Sequence, residues 1–155
     1  MTIKLKLKKN AKKIDKFLLK FLKKQKKSLL IAPMKYGVIS GGKKIRSTII
    51  FDTGKMLKVD EKKLLSVCTA VECIHSYSLI HDDLPCMDND LTRRGKPSTH
   101  KKFGEATAVL AGNSLLTLAF EIISNKKNFL SPKQKNEIIN LLSCLLYTSD
   151  AADES

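Results

Sequence analysis

The apolar positions of this chain fall in blocks with a helical period. Ile14, Phe17, Leu18, Phe21 and Leu22 recur at i, i+3, i+4, i+7 and i+8 within a lysine-rich stretch. That stripe predicts an amphipathic helix over residues 12–27. Pro33 and the pair Gly41–Gly42 bracket the next segment, which predicts a break before Gly41 and a helix from about Lys44 to Leu57. Asp60 is placed as an N-cap, with Lys63 where a capping box would carry an acid. From Glu61 the pattern runs through "EKKLLSVCTAVECIHSYSLIHDD" until Pro85 stops it. A polar loop is expected over 88–102, holding Arg93, Arg94, Gly95 and Pro97. "EATAVLAGNSLLTLAFEIIS" predicts a helix buried among other helices, and "SPKQKNEIINLLSCLL" another, with Ser131 as N-cap and Pro132 at N1. Alternation of period two is confined to the first few residues. The chain reads as all-α.

Composition adds charge to this picture. Of the 155 residues, 29 are Lys or Arg and 15 are Asp or Glu, a net charge of +14. Such an excess suggests anionic partners, namely nucleic acid, a membrane surface or phosphorylated small molecules. Nearly all of it is lysine, however, and lysine with abundant Ile and Asn is also what AT-rich coding produces. The helix over 12–27 could lie on a membrane or nucleic acid, but docking on a core is the simpler use of its stripe. Aromatic residues for base stacking are not interleaved there, which speaks against nucleic acid. Cys68, Cys73, Cys86 and Cys144 show no CxxC pair and no zinc-type spacing. Three lie in or beside apolar runs, which predicts buried free thiols. The first ten residues lack the apolar core of a signal peptide, and no run approaches the roughly 18 uninterrupted apolar residues of a span. A cytoplasmic protein without stable membrane insertion is expected. "YTSDAADES" turns acidic and small. The expected organisation is therefore residues 1–146 as part of one domain and 147–155 as a tail foreign to it.

The chemistry gathers in "HDDLPCMDNDLTRRG", where Asp82, Asp83, Asp88 and Asp90 precede Arg93 and Arg94. On a regular helix Asp82 and Asp88 would point about 240° apart. Pro85 forces the chain out of helix, so the two can converge. Crowded carboxylates repel and raise each other's pKa unless a cation sits among them. Mg²⁺ suits such a site, being held by one or two carboxylates, waters and phosphate oxygens. Calcium fits less well, since the acids lack EF-hand spacing. Arg93 and Arg94 make sense as phosphate ligands. "GGKKIR" offers a second anion site through Lys43 and Arg46, without Walker A spacing. Each motif alone has a plain explanation, since a DD pair at a helix end is common on surfaces and Asp, Asn and Gly make turns. Together, acids, arginines and the Gly-Gly-Lys loop all imply a diphosphate.

"GGKKIR", "AVECIHSYSLIHDDLPCMDND" and "RRGKPSTHKKFGEATAVLAGNSLLTLAFEI" resemble the first half of bacterial members of the trans-polyprenyl synthase family, from Met34 to about Ser124. The resemblance implies an all-helical isoprenoid synthase fold around a deep cavity. It also implies a Mg²⁺-dependent condensation of isopentenyl diphosphate with an allylic diphosphate. On the matching positions, Asp82 and Asp88 would be the Mg²⁺ ligands, with Asp83 a further candidate. Arg93 would bind the allylic diphosphate, and Lys43, Arg46, His75 and Arg94 the isopentenyl diphosphate. His81 and His100 are left as structural. The spacing DDLPCMD, with Tyr77 and Ser78 five and four residues before Asp82, goes in this family with a C15 product, farnesyl diphosphate. Geranyl and geranylgeranyl diphosphate are the other products considered, and members usually form homodimers.

Ser47 departs from the family, which usually has proline there. Members also run to roughly twice this length, with a second Asp-rich motif that this chain lacks. The 155-residue chain alone is therefore expected to be inactive. Readings from other classes are a basic helical module on nucleic acid or membrane, which leaves the aspartates unexplained, and a Mg²⁺-dependent phosphohydrolase. In a complete enzyme, Tyr77→Ala is expected to lengthen the product; chromatography showing products that still stop at C15 would remove Tyr77 as the floor of the tail pocket.

Overall fold

The structure, a computed structural model, describes residues 2–24, 28–39 and 41–149. Along the chain run α1 (Ile3–Lys24), α2 (Ile31–Ile39), α3 (Ile45–Met56) and α4 (Glu61–Asp82). A hairpin of β1 (Thr92–Arg93) and β2 (Lys96–Pro97) leads to α5 (Thr99–Phe103), α6 (Glu105–Ser124) and α7 (Pro132–Ser149). The all-α expectation holds, and the hairpin is the only sheet among the described residues.

The capping signals act as read. Asp60 Oδ1 accepts from the backbone N–H of Lys62 at 2.9 Å and of Lys63 at 3.4 Å, so α4 starts where the side chain replaces missing intrahelical partners. At α7 the capping is reciprocal. Gln134 N donates to Ser131 Oγ (3.2 Å) and Ser131 N to Gln134 Oε1 (3.0 Å), with Pro132 inside the first turn.

α4 is central, packed on by α1, α2, α3 and α6. The stripe on α1 docks on this core: Ile14, Leu18 and Leu22 are buried, and Phe17 and Phe21 pack at its edge. The α4–α6 contact is close because α6 presents Ala108, Ala111 and Gly112, and a Cβ on Gly112 would run into His81. His81 Nε2 lies 3.1 Å from Val109 O, so the imidazole ties the two helices together. α6 is long and apolar enough to cross a membrane, yet Leu115, Leu118, Ile122 and Ile123 are buried in the core.

Several elements differ from expectation. α1 begins at Ile3 rather than Lys12. The alternating Ile3, Leu5 and Leu7 have no strand to pair with, and Lys and Leu favour helix, so the run coils and leaves Ile3 79% exposed. Residues 25–27 of that expected helix lie outside the described residues. α2 was hidden by Pro33, which stands in the first turn, where a missing N–H costs nothing. The segment expected as loop over 88–102 contains the hairpin and most of α5. Arg94 (φ 54°) and Gly95 (φ 73°) form its two-residue turn, the primed type whose twist matches paired strands. Cys68 and Cys73 are buried, but Cys86 and Cys144 are exposed, because the polar face of α7 carries Cys144 outward. The expected boundary after Leu146 falls within α7, and residues 150–155 lie outside the described residues.

Gly54 is the close point between α3 and α4, where an added Cβ would run into the side chain of Leu64. Gly54→Ala should gain helix propensity but overpack this crossing, for a net loss of about 1–2 kcal/mol in urea unfolding. Unchanged stability would mean that Leu64 has room to step aside.

Candidate active site

α4 ends at Asp82, and the backbone then folds back on itself. Leu84 N donates to His81 O (3.0 Å), and Asp88 N donates to Asp82 O (2.9 Å). The second bond joins two aspartates six residues apart, which a continuing helix would have turned away from each other. The break at Pro85 therefore brings the backbones of Asp82 and Asp88 together. Asp88 is exposed and Asp82 half-buried, so the turn opens outward.

Asp83 has a different place. It is buried, and its Oδ1 accepts from Arg93 Nε at 2.6 Å and forms an ion pair with Arg93 Nη2, also at 2.6 Å. Arg93 Nη2 also lies 3.3 Å from Asp90 Oδ2. The Asp83 hydrogen bond, then the charges of Asp83, Asp90 and Asp82, raise the Arg93 pKa above its ordinary value. A guanidinium is thus one cation that lets these acids crowd together, and Asp83 is held by Arg93. Among the described residues no three His, Cys, Asp or Glu side chains converge as a metal cluster. The turn can offer a hard cation two carboxylates, with the remaining positions left to water and phosphate oxygens. That donor set fits Mg²⁺ and is too sparse for calcium.

A second, cationic site lies on the same helix. Lys43, Arg46, His75 and Arg94, grouped by the family resemblance, line one pocket of about 330 Å³ with Gly41, Gly42, Lys44, Ile45 and Glu72. Gly42 makes the pocket possible: a Cβ there would stand 2.6 Å from Arg94 Nη1 and 2.8 Å from its Cζ. Gly41, at φ 87°, takes the left-handed turn that brings the loop over α4. Arg46 Nη1 lies 3.4 Å from His75 Nε2 and donates to it, which leaves the neutral imidazole's proton on Nδ1. Burial lowers the His75 pKa, with Arg46, Arg94 and Lys44 adding to the effect and Glu72 opposing it. His75 is therefore a neutral hydrogen-bonding wall between two guanidiniums.

Tyr77 packs edge-on to His81, with ring centroids 4.6 Å apart, on the side of α4 that meets the core. Ser78 Oγ donates back to His75 O (3.0 Å). His100 is buried with Nδ1 3.1 Å from Ser98 Oγ, a structural role like that of His81. Sequence reasoning missed the Asp83–Arg93 pair and the two buried charges Lys44 and Glu72. The signal for Glu72 was an acid three residues before His75, on the same face of a largely apolar helix.

The polyprenyl synthetase family pattern matches residues 27–149. The farnesyl diphosphate synthase of Buchnera aphidicola subsp. Acyrthosiphon pisum is 52% identical over 122 residues, 79% of this chain and 43% of that protein. The farnesyl diphosphate synthase of Escherichia coli is 53% identical over 96 residues, 62% of this chain and 32% of that protein. Among solved structures, an FPP/GFPP synthase from Zymomonas mobilis superposes with a TM-score of 0.84 at 43% identity, covering 89% of this chain and 50% of that one. A geranyltranstransferase from Thermotoga maritima gives 0.80 at 40% identity, covering 91% and 52%. The chain spans less than half the length of these curated relatives.

Two measurements on the chain test the pocket. Gly42→Ala should leave the melting temperature unchanged, since only the flexible end of Arg94 must move. It should weaken inorganic pyrophosphate binding about tenfold, or about 1.4 kcal/mol; equal affinity would remove Arg94 from the site. His75 should titrate below the usual value of about 6.5 by NMR, and pyrophosphate should raise its midpoint. Its folded pKa is depressed, so its contribution to stability is present above about pH 6.5 and is lost as pH falls below that, toward the folded value.

Proposed function

Because the chain belongs to the polyprenyl synthetase family, we propose that the native protein is a prenyltransferase condensing isopentenyl diphosphate with dimethylallyl or geranyl diphosphate to give farnesyl diphosphate. The observation that carries this reading is the pairing of two anion sites on α4. One is an acidic turn with its own arginine at the helix end, and the other is a cationic pocket around His75. A reaction between two diphosphates needs both. The reading includes a cytoplasmic homodimer.

Lys43, Arg46 and Arg94 hold the diphosphate of isopentenyl diphosphate, and His75 offers Nδ1–H without adding charge. Arg93, aimed by Asp83 and Asp90, takes the allylic diphosphate. Asp82 and Asp88 would hold Mg²⁺, which supplies Lewis acidity toward the departing diphosphate. The allylic C1–O bond breaks, its electron pair leaving on the diphosphate. The alkene of isopentenyl diphosphate attacks that carbon, and the adduct passes a proton to the released diphosphate to restore a double bond. Arg93 already has two carboxylate partners, so it needs little reorganisation as negative charge grows on the leaving group. Tyr77 and Ser78, one turn before Asp82, would limit the length of the allylic tail.

The test is product analysis of the full-length native protein with labelled isopentenyl diphosphate and dimethylallyl diphosphate. Growth to C15 is expected, with Asp82→Ala lowering turnover roughly 10²–10³-fold. Growth that stops at C10 or runs to C20 would reassign the product, and phosphate release without chain growth would sink the reading in favour of a hydrolase.

A further inference from the structure

Glu72 is out of place in a pocket for an anion. It lines the same cavity as Lys43, Arg46, His75 and Arg94, and it is buried. A carboxylate in that wall opposes any phosphate that enters. Its two oxygens are nevertheless turned to other partners. Oε1 accepts from the buried Ser47 Oγ, and Oε2 lies 3.7 Å from Lys44 Nζ.

Lys44 also lines the pocket, but it is the basic residue of the "GGKKIR" loop that is buried. Its Nζ donates to Val38 O (3.1 Å) at the end of α2. It also lies 3.2 Å from Asp15 Oδ1 on α1, an ion pair whose alignment falls short of a hydrogen bond. One ammonium therefore gathers α1, α2 and α4 onto the residue preceding α3. Lys44 also takes a left-handed backbone (φ 48°), which nothing in its side-chain type favours. Lys43 and Arg46 leave the chain on either side of it.

We propose that Lys44 is a positioning residue for the cationic pocket, cancelling the charge of Glu72 from inside and fixing where Lys43 and Arg46 emerge. Ser47 completes the device by holding the other oxygen of Glu72. The inference rests on the reading of this pocket as a diphosphate site. It assigns a role to two buried charges of the pocket wall that act through their neighbours. The same carboxylate bears on His75, whose charged neighbours are Arg46 from α3, Glu72 from α4, Arg94 from the hairpin turn and Lys44 from the start of α3.

The test uses the 155-residue chain, inorganic pyrophosphate without metal, and calorimetry. Glu72→Gln keeps a partner for Ser47 and removes the opposing charge, so pyrophosphate should bind about threefold tighter or more. Lys44→Met leaves Glu72 unanswered and should weaken binding about thirtyfold. Glu72→Gln in the Lys44→Met background should recover most of that loss, and Lys44→Arg should stay within about threefold of the parent. An NMR titration of His75 gives a readout without ligand: its midpoint should rise in Lys44→Met and fall back in the double variant. Glu72→Gln binding no tighter than the parent, with His75 unmoved in Lys44→Met, overturns the proposal. Parent chain that does not bind pyrophosphate would instead remove the diphosphate reading, while the His75 shifts still decide whether Lys44 cancels Glu72.

Discussion

Because α4 is packed on by four other helices, every polar group it carries inward must find its partner on another element. Glu72 is met by Ser47 and Lys44 from the start of α3, and His75 by Arg46. His81 is met by a carbonyl of α6, and Asp83 by an arginine from the hairpin. The contacts that satisfy α4 are the contacts that build the site. A change that loosened the packing would also leave buried charges unanswered, so the stability of the fold and the geometry of the pocket are linked through one helix.

The acidic turn and the cationic pocket solve opposite electrostatic problems. At the end of α4, acids are in excess and Arg93 moderates them. Around His75, cations are in excess, and burial beside Arg46 and Arg94 keeps the imidazole neutral. The overall charge of +14 explains neither arrangement. The same burial that keeps His75 neutral pushes the Cys68 and Cys73 thiols up to about 12, which makes them inert packing groups rather than nucleophiles.

Period and caps made the long elements legible. Asp60, Ser131 and the α1 stripe each carry a local physical signal, and the isoprenoid synthase fold follows from motifs that span α3 to α6. Lys43 and Arg46 were legible from the chemistry of "GGKKIR", whereas His75 and Arg94 joined them only through the family resemblance. What escaped were features decided across the fold. α2 was masked by a proline that is harmless in a first turn, and the hairpin by strands too short to show alternation. Lys44 could not be told from Lys43 in sequence, since adjacent lysines look alike until packing buries one of them. Asp83 and Asp82 differ in the same way: one helical step of 100° separates a buried partner of Arg93 from a carboxylate at the open turn.

Arg93 and Arg94 are neighbours in the chain but serve different sites. Arg93 ends a strand and reaches the acids, while Arg94 opens a left-handed turn and reaches over Gly42. The hairpin that carries both is anchored by Tyr36, whose hydroxyl donates to Pro97 O at 2.7 Å, and by the bond from Ser98 N to Leu91 O. The two guanidiniums are therefore set by one peptide bond and one turn, so a substitution that altered the φ of Arg94 or Gly95 would displace both at once.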